Sequence, residues 1–76
     1  MKCPICGGNL IFERTEMLPV LANGRLDHVN GSYGDDRRLF CEGCGREFLC
    51  WFDRTGTRLS LDKENVADQQ QALLDA

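Results

Sequence analysis

The chain has 76 residues, of which 42% are hydrophobic and 28% charged, and its formal net charge is −3. A chain of this length forms one small domain whose core rarely contributes more than about 3–5 kcal/mol, so a stabilising cross-link is expected. The composition excludes a multidomain enzyme and wholesale disorder, no run approaches the roughly 18 apolar residues of a membrane span, and the acidic balance disfavours a dedicated nucleic-acid binder.

The chain begins with a Cys-x-x-Cys pair, Cys3 and Cys6, which Gly7 and Gly8 follow. A two-residue spacer predicts a tight turn whose N–H groups point at the sulfurs. The residue after such a turn favours positive φ, which glycine adopts without steric cost. Residues 9–14 are then predicted to leave this turn as a strand.

A long hairpin insert is predicted over residues 13–36. Residues 15–21 form a β-like stretch that runs up to Asn23-Gly24, the strongest short hairpin signal, and residues 25–29 are expected to return as its second arm. Pro19 cannot donate a ladder hydrogen bond, so the first arm is predicted to be an edge strand or to contain a bulge.

The second cysteine pair follows the insert. Residues 30–36 are dense in Gly, Ser, Asn and Asp and predict a loop. Residues 37–40 then lead into Cys41 and Cys44, which Gly45 follows as Gly7 follows the first pair. The repeated arrangement predicts a second turn of the same kind.

Residues 46–52 predict the clearest strand, which should pair with residues 57–61 across a turn at 53–56. Side chains alternate between the two faces of a strand, so the inner face should carry Phe48, Cys50 and Phe52. Leu49 and Trp51 then lie on the outer face.

From Asp62 the sequence is rich in Gln and Ala and predicts a helix over residues 62–74, which Asp62 can cap. Leu61 and Val66 stand at the positions of a hydrophobic staple. The other expected anchors are Leu73 and Leu74, and so thin an apolar stripe is marginal for a helix in water. We therefore divide the chain into a metal-binding domain over residues 1–61 and a helical tail over residues 62–76.

Two x-x spaced cysteine pairs predict a tetrahedral thiolate site, with Cys3, Cys6, Cys41 and Cys44 binding one Zn²⁺ per chain. The 34 residues between the pairs exceed the usual interval, but lengthening a loop costs little. Binding of structural zinc contributes about 10–16 kcal/mol in small peptides, more than this core can. The alternative, redox-active dithiols, expects a βαβ context that the pattern lacks. An odd cysteine count and no secretory signal favour a reducing, cytoplasmic location.

On Cys-Pro-x-Cys-Gly at 3–7 and Cys-x-x-Cys-Gly at 41–45 the chain resembles the zinc-ribbon family. The resemblance implies a Cys₄ zinc site held between two knuckles above a small antiparallel sheet. The expected fold class is thus a small metal-stabilised β protein, a zinc ribbon with antiparallel β-hairpins and a short C-terminal helix. Members of the family act in transcription, translation and replication and as structural parts of enzymes, so the resemblance implies fold and metal and leaves the function open.

Rubredoxins resemble the same cysteine spacing and would make the chain an iron electron carrier. They also carry an aromatic cluster, for which the insert region offers only Phe12, Tyr33 and Phe40. The fifth cysteine, Cys50, is expected to be a buried, inert thiol, and His28 a surface residue. No catalytic residues are identified, and the chain is not expected to be an enzyme.

The leading hypothesis is a non-catalytic zinc-binding module that docks onto another protein, with no role at a membrane. The simplest expectation for Trp51 is that the tail helix or the long hairpin covers it. Exposed, it would form a binding surface with nearby arginines, which are Arg37, Arg38, Arg46, Arg54 and Arg58. The alternative hypothesis is a zinc ribbon that binds nucleic acid through the same residues, which the net charge disfavours.

Overall fold

The computed structural model describes residues 1–35 and 37–74. Asp36 of the predicted loop and Asp75 and Ala76 of the predicted tail lie outside the described residues. Within the described ranges the chain forms seven strands and one helix: β1 (Leu10–Glu13), β2 (Glu16–Pro19), β3 (Ser32–Tyr33), β4 (Arg38–Cys41), β5 (Glu47–Phe48), β6 (Cys50–Phe52), β7 (Leu59–Leu61) and α1 (Lys63–Leu74). The expected class, a small antiparallel β protein with a C-terminal helix, is confirmed.

Five strands form one antiparallel sheet in the order β3-β2-β1-β4-β5, and β6 and β7 form a separate two-stranded sheet. The predicted strand after the first cysteine pair is β1, at the centre of the larger sheet. Its register with β4 sets Leu10 opposite Cys41 and Phe12 opposite Leu39. This pairing brings the two cysteine turns together although they are far apart in sequence.

The predicted turn at Asn23-Gly24 forms, with Gly24 at a φ of 85°. The arm over 25–29 does return antiparallel to residues 19–21, through the Leu21 N–H to the Arg25 carbonyl, the Asp27 N–H to the Pro19 carbonyl and a Val20–Leu26 bridge, but it forms no continuous strand. The carboxylate of Asp27 accepts the backbone N–H groups of Val29 and Asn30 at 3.0 and 3.2 Å. This local turn removes two donors from the ladder and ends the arm.

Instead β3, which lies within the predicted loop, pairs with Glu16 and Met17 of β2. The expectation of an edge strand at Pro19 is therefore wrong, because β2 lies between β1 and β3. Proline is tolerated there because the pairing with β3 ends at Met17, and no ladder bond is needed from the Pro19 nitrogen.

The predicted continuous strand over 46–52 is also wrong, because it is interrupted at Leu49 between β5 and β6. Residues at the start of the helix hydrogen-bond to both the backbone N–H and the backbone carbonyl of Leu49. Its N–H donates to Oδ1 of Asn65 at 3.0 Å, and its carbonyl accepts the N–H of Asp62 at 3.0 Å. The predicted pairing with the last strand does form, with Cys50 opposite Leu61 and Phe52 opposite Leu59.

The core lies between the larger sheet and the β6–β7 hairpin. Its buried members are Cys3, Leu10, Val20, Leu39, Cys41, Phe48 and Leu59. Cys50 and Leu61 pack against it from the hairpin, and the Phe52 ring meets the Phe12 ring edge-on with centroids 5.3 Å apart. Of the predicted inner face, Phe48 and Cys50 thus point to the core, whereas Phe52 stays exposed against Phe12, so its assignment to the core is wrong.

Asp62 caps α1 as predicted, accepting the N–H groups of Glu64 and Asn65 at 3.0 and 3.2 Å. Val66 packs against the core beside Leu61. Leu73 and Leu74 are exposed, so their assignment as anchors is wrong. Among the described residues, no helix is long and apolar enough to cross a membrane.

Candidate metal centre

The two cysteine turns have the same backbone geometry. Gly7 donates its N–H to the carbonyl of Cys3 at 3.0 Å, and Gly45 donates to the carbonyl of Cys41 at 2.9 Å. Both glycines have positive φ, 78° and 76°. The sequence-based expectation of a left-handed glycine after each pair is confirmed, since other residues adopt this conformation only with strain.

A backbone hydrogen bond closes each turn, and a third holds the two turns side by side. Cys3 donates its N–H to the Gly8 carbonyl at 2.7 Å, and Cys41 donates to the Arg46 carbonyl at 2.9 Å. Across the gap, the N–H of Glu42 donates to the carbonyl of Asn9 at 3.1 Å. The end of the β1–β4 ladder therefore fixes where the sulfurs meet.

The four sulfurs of Cys3, Cys6, Cys41 and Cys44 all lie within 4.8 Å of one another. Two of the separations cross between the turns, at 3.9 Å for Cys3 and Cys44 and 3.3 Å for Cys6 and Cys41. Four sulfurs at about 2.3 Å from a tetrahedral ion would be about 3.8 Å apart. The donor set and its spacing fit a four-thiolate metal site.

Backbone N–H groups point at the sulfurs, as the turn geometry requires. Ile5 donates to the Cys3 Sγ at 3.4 Å, Gly8 to the Cys6 Sγ at 3.4 Å and Gly43 to the Cys41 Sγ at 3.2 Å. These donors offset part of the negative charge that the thiolates carry.

Gly8 has a second role that the sequence pattern did not reveal. A Cβ at this position would lie 2.9 Å from the Cys41 Sγ and 3.3 Å from the Cys6 Sγ. The backbone at Gly8 is therefore packed directly against the sulfur cluster. Glycine is needed there for space.

The thiols differ in acidity. The Gly8 N–H favours the thiolate of Cys6, but the hydrogen bond with Cys41, burial and the other sulfurs outweigh it and raise the pKa of Cys6 to about 11. Burial opposes ionisation of Cys41, yet N–H groups of its own turn and the Cys6 thiol lower the pKa of Cys41 to about 7. The close sulfurs thus oppose simultaneous ionisation, and four thiolates together require a compensating cation.

The remaining metal-ligand candidates lie elsewhere. Cys50 is half-buried in β6, and burial raises the pKa of its thiol. It does not belong to the cluster that the described residues form. His28 is exposed on the insert, as expected.

Trp51 is not covered by the helix or the hairpin. Its side chain is 66% exposed, and that of Leu49 is 61% exposed. Trp51 lies in β6 on the face opposite Cys50, which packs against the core, and Leu49 directly precedes β6. The simplest expectation for Trp51 is therefore wrong.

The structure distributes the predicted arginines over separate surfaces. Arg38 pairs with Glu13 at 3.0 Å and Glu47 at 3.3 Å and stacks over the Phe40 ring at 4.3 Å. The Glu13 carboxylate is buried, which the sequence pattern did not indicate. Arg46 is half-buried beside the second turn, Arg54 and Arg58 lie exposed in the last hairpin, and Arg37 lines a groove on the insert side.

Comparison of the chain with protein-family models, curated protein sequences and solved structures gives no significant match. The positions of the four sulfurs and of the exposed side chains are therefore the basis for a functional conclusion. Both follow from the pairing of short strands around two glycine-bearing turns.

Proposed function

We propose that this protein is a non-catalytic zinc-binding module that docks onto another protein. The observation that carries the proposal is the cluster of four sulfurs, all within 4.8 Å of one another. Four thiolates complete a tetrahedral site and leave no position open for a substrate. Zinc bound there would cross-link residues 3–6 to residues 41–44 and stabilise the fold.

The surroundings of the cluster favour zinc over iron. Thiolates accept either metal, so the ligands alone do not distinguish them. The aromatic residues that a rubredoxin-like centre would gather have other contacts here. Phe12 packs on Phe52, Phe40 packs under Arg38, and Tyr33 is exposed.

Metal analysis tests this assignment directly. Protein purified from its native host without added metal should be colourless and contain one zinc per chain by elemental analysis and native mass spectrometry. Visible absorption with one iron per chain would contradict the zinc assignment. A measured protein mass that shows no bound metal and is reduced by the hydrogens lost in forming two disulfides would contradict a metal site altogether.

The docking surface is the outer hairpin face, which we define by Leu49 and Trp51. Large exposed apolar side chains that are near each other in the chain mark interaction sites more often than scattered ones, and tryptophan is enriched among residues that dominate binding energy. The backbone of Leu49 is fixed by Asp62 and Asn65 of the helix start, at 3.0 Å each. The face is thus presented on a rigid support, which lowers the entropy cost of binding.

Trp51 is the single tryptophan, so its fluorescence reports on this face. A partner recovered from the native host with the metal-loaded protein should shift the emission to shorter wavelength. Replacing Leu49 and Trp51 with Ser should abolish recovery, whereas the matched exposed change Arg54→Ser should not. Salt-sensitive quenching by oligonucleotides, lost in Arg54→Ser, would instead support the nucleic-acid alternative.

A further inference from the structure

An open groove of about 790 Å³ lies between β1, the insert and the last hairpin. Its floor is formed by Phe12 and Phe52, whose rings meet edge-on at an interplanar angle of 82°. Phe52 remains 39% exposed, and Val29 at the rim is 92% exposed. The groove therefore presents an apolar surface to solvent, separate from the outer hairpin face.

Three arginines line this groove, Arg14, Arg25 and Arg37, and we call them the groove arginines. Both ion pairs formed by the described residues belong to Arg38, so within that part of the chain the groove arginines have no carboxylate partner. The sequence pattern did not indicate this cluster, because its members come from the bend after β1, the insert turn and the segment before β4.

Among the described residues that line the groove, Asp27 is the one carboxylate, and its hydrogen bonds are already made. It accepts the side-chain amide of Asn30 at 2.7 Å and the N–H groups of Val29 and Asn30. The Asn30 side chain above all, with these N–H groups, lowers the pKa of Asp27. Three arginines and one aspartate give the groove a formal charge of +2 in a chain of net charge −3.

The backbone that carries Arg25 is held in place. The carbonyl of Arg25 accepts the N–H of Leu21 at 2.8 Å, and its N–H donates to the Asn23 side chain at 3.0 Å. A β-bridge joins Arg25 to Arg58 of the last hairpin. The backbone at Arg25 is thus fixed relative to the last hairpin, which also carries Phe52, and this lowers the entropy cost of binding at that position.

We propose that this groove binds an acidic segment of a partner protein, whose apolar side chain packs on the phenylalanine floor while flanking carboxylates pair with the groove arginines. Charge complementarity identifies the occupant, because arginines that form no ion pair with the described residues, beside an exposed apolar floor, match alternating carboxylates and apolar side chains. The proposal rests on the proposed function in taking the partner to be a protein, and it adds the chemistry of the bound segment.

A nucleic acid fits the groove less well. Single strands stack their bases on exposed aromatic faces, and the two most exposed aromatic residues, Trp51 and Tyr33, do not line the groove. The rim carries the aliphatic side chains of Leu21, Leu26 and Val29 instead. The negative net charge also opposes the approach of a long polyanion more than that of a short acidic segment.

The experiment is a titration of metal-loaded, ¹⁵N-labelled protein with a short synthetic peptide of alternating Asp and Leu residues. Amide shifts are expected at groove positions, including Arg25, Phe52 and Gly56. A peptide with Asn in place of Asp should bind at least about tenfold more weakly, because it lacks the carboxylates.

Charge reversal provides the matched variants. Arg25→Glu combined with Arg37→Glu should weaken binding of the acidic peptide at least about tenfold. Arg54→Glu, an equally exposed arginine outside the groove, should weaken it much less. Metal content and far-UV circular dichroism, unchanged in all variants, establish that the fold is retained.

Three results would overturn the proposal: equal weakening by Arg54→Glu, amide shifts confined to the outer hairpin face, or no binding of the acidic peptide. Tighter binding of a single-stranded oligonucleotide with shifts at the same groove amides would assign the groove to nucleic acid. Metal content and the Leu49/Trp51 variants report on the proposed function separately. Failure of the groove proposal can therefore be distinguished from failure of the proposed function.

Discussion

Leu59 donates its backbone N–H to the carbonyl of Gly24 at 2.7 Å, and a Cβ at Gly24 would collide with the carbonyl oxygen of Leu59. The tip of the long insert is thereby packed against the last hairpin. The next residues along, Arg25 and Arg58, continue the contact as a β-bridge. This junction covers one side of the core and forms one side of the groove that the groove arginines line.

Gly24→Ala should therefore destabilise the protein by more than the strain of a left-handed backbone conformation alone. The left-handed conformation at a φ of 85° costs about 1–2 kcal/mol for alanine, and relieving the collision should add about 1–3 kcal/mol. Gly56→Ala is the matched control, because Gly56 has a φ of 70° and no atom within 4 Å of an added Cβ. Urea unfolding of the metal-loaded variants measures both, and equal losses would contradict the packing role of Gly24.

Local chemistry made the cysteine turns, β1, the Asn23-Gly24 turn and the helix cap predictable from sequence. The interruption at Leu49 was not predictable, because its hydrogen-bond partners, Asp62 and Asn65, come from a different element. At Leu49 and in the arm over 25–29, the strand prediction was wrong because a polar side chain or a distant segment competed for backbone groups. Asp27 is that side chain on the insert. The groove arginines were missed for a related reason, since only tertiary packing gathers them.

Gly8→Ala should weaken metal binding without unfolding the metal-loaded protein at saturating zinc. The added Cβ would lie 2.9 Å from the Cys41 Sγ, a contact that must displace a ligand sulfur. Gly43→Ala is the control near the same sulfurs, with its nearest contacts at 3.4 and 3.5 Å, which is ordinary packing distance. Competition with a chromophoric chelator gives both affinities, and a Gly43→Ala loss as large as that of Gly8→Ala would refute the steric explanation.

Replacing any one of the four clustered cysteines with Ser should unfold most of the domain. Structural zinc contributes on the order of 10–16 kcal/mol in small peptides, and the core here is too small to compensate for its loss. Cys50→Ser is the control, because Cys50 lies outside the cluster. Circular dichroism and zinc content are the readouts. A cooperative, native-like unfolding transition after exhaustive chelation under reducing conditions would contradict a metal-dependent fold.

Cys50 should react slowly with iodoacetamide in the metal-loaded protein. Burial raises the pKa of its thiol, so a smaller fraction is thiolate near pH 8 than in an unfolded chain. Because the fold favours the neutral thiol, this group's contribution to stability is present at low pH and declines as pH rises above the pKa of the unfolded chain. Mass spectrometry of alkylated peptides measures the rate, and equal rates in native and denatured protein would contradict the burial of Cys50.

Removing residues 62–76 should leave the metal site intact, because all four cysteines lie upstream and the β1–β4 pairing that positions them does not involve the helix. The truncation should still lower stability. It removes both hydrogen-bond partners of the Leu49 backbone, the Gln69 amide that donates to the Glu47 carbonyl at 2.8 Å, and the packing of Val66.

Asp62→Ala isolates the capping contribution from the packing of the helix. Loss of an N-cap costs about 1 kcal/mol, so this variant should retain zinc and unfold at slightly lower urea. The full truncation should lose more and should speed amide exchange at Leu49, whose N–H would have no acceptor. Loss of zinc on truncation would mean that the helix belongs to the metal-binding domain, because the ligand turns would then depend on its contacts with Leu49, β5 and the core.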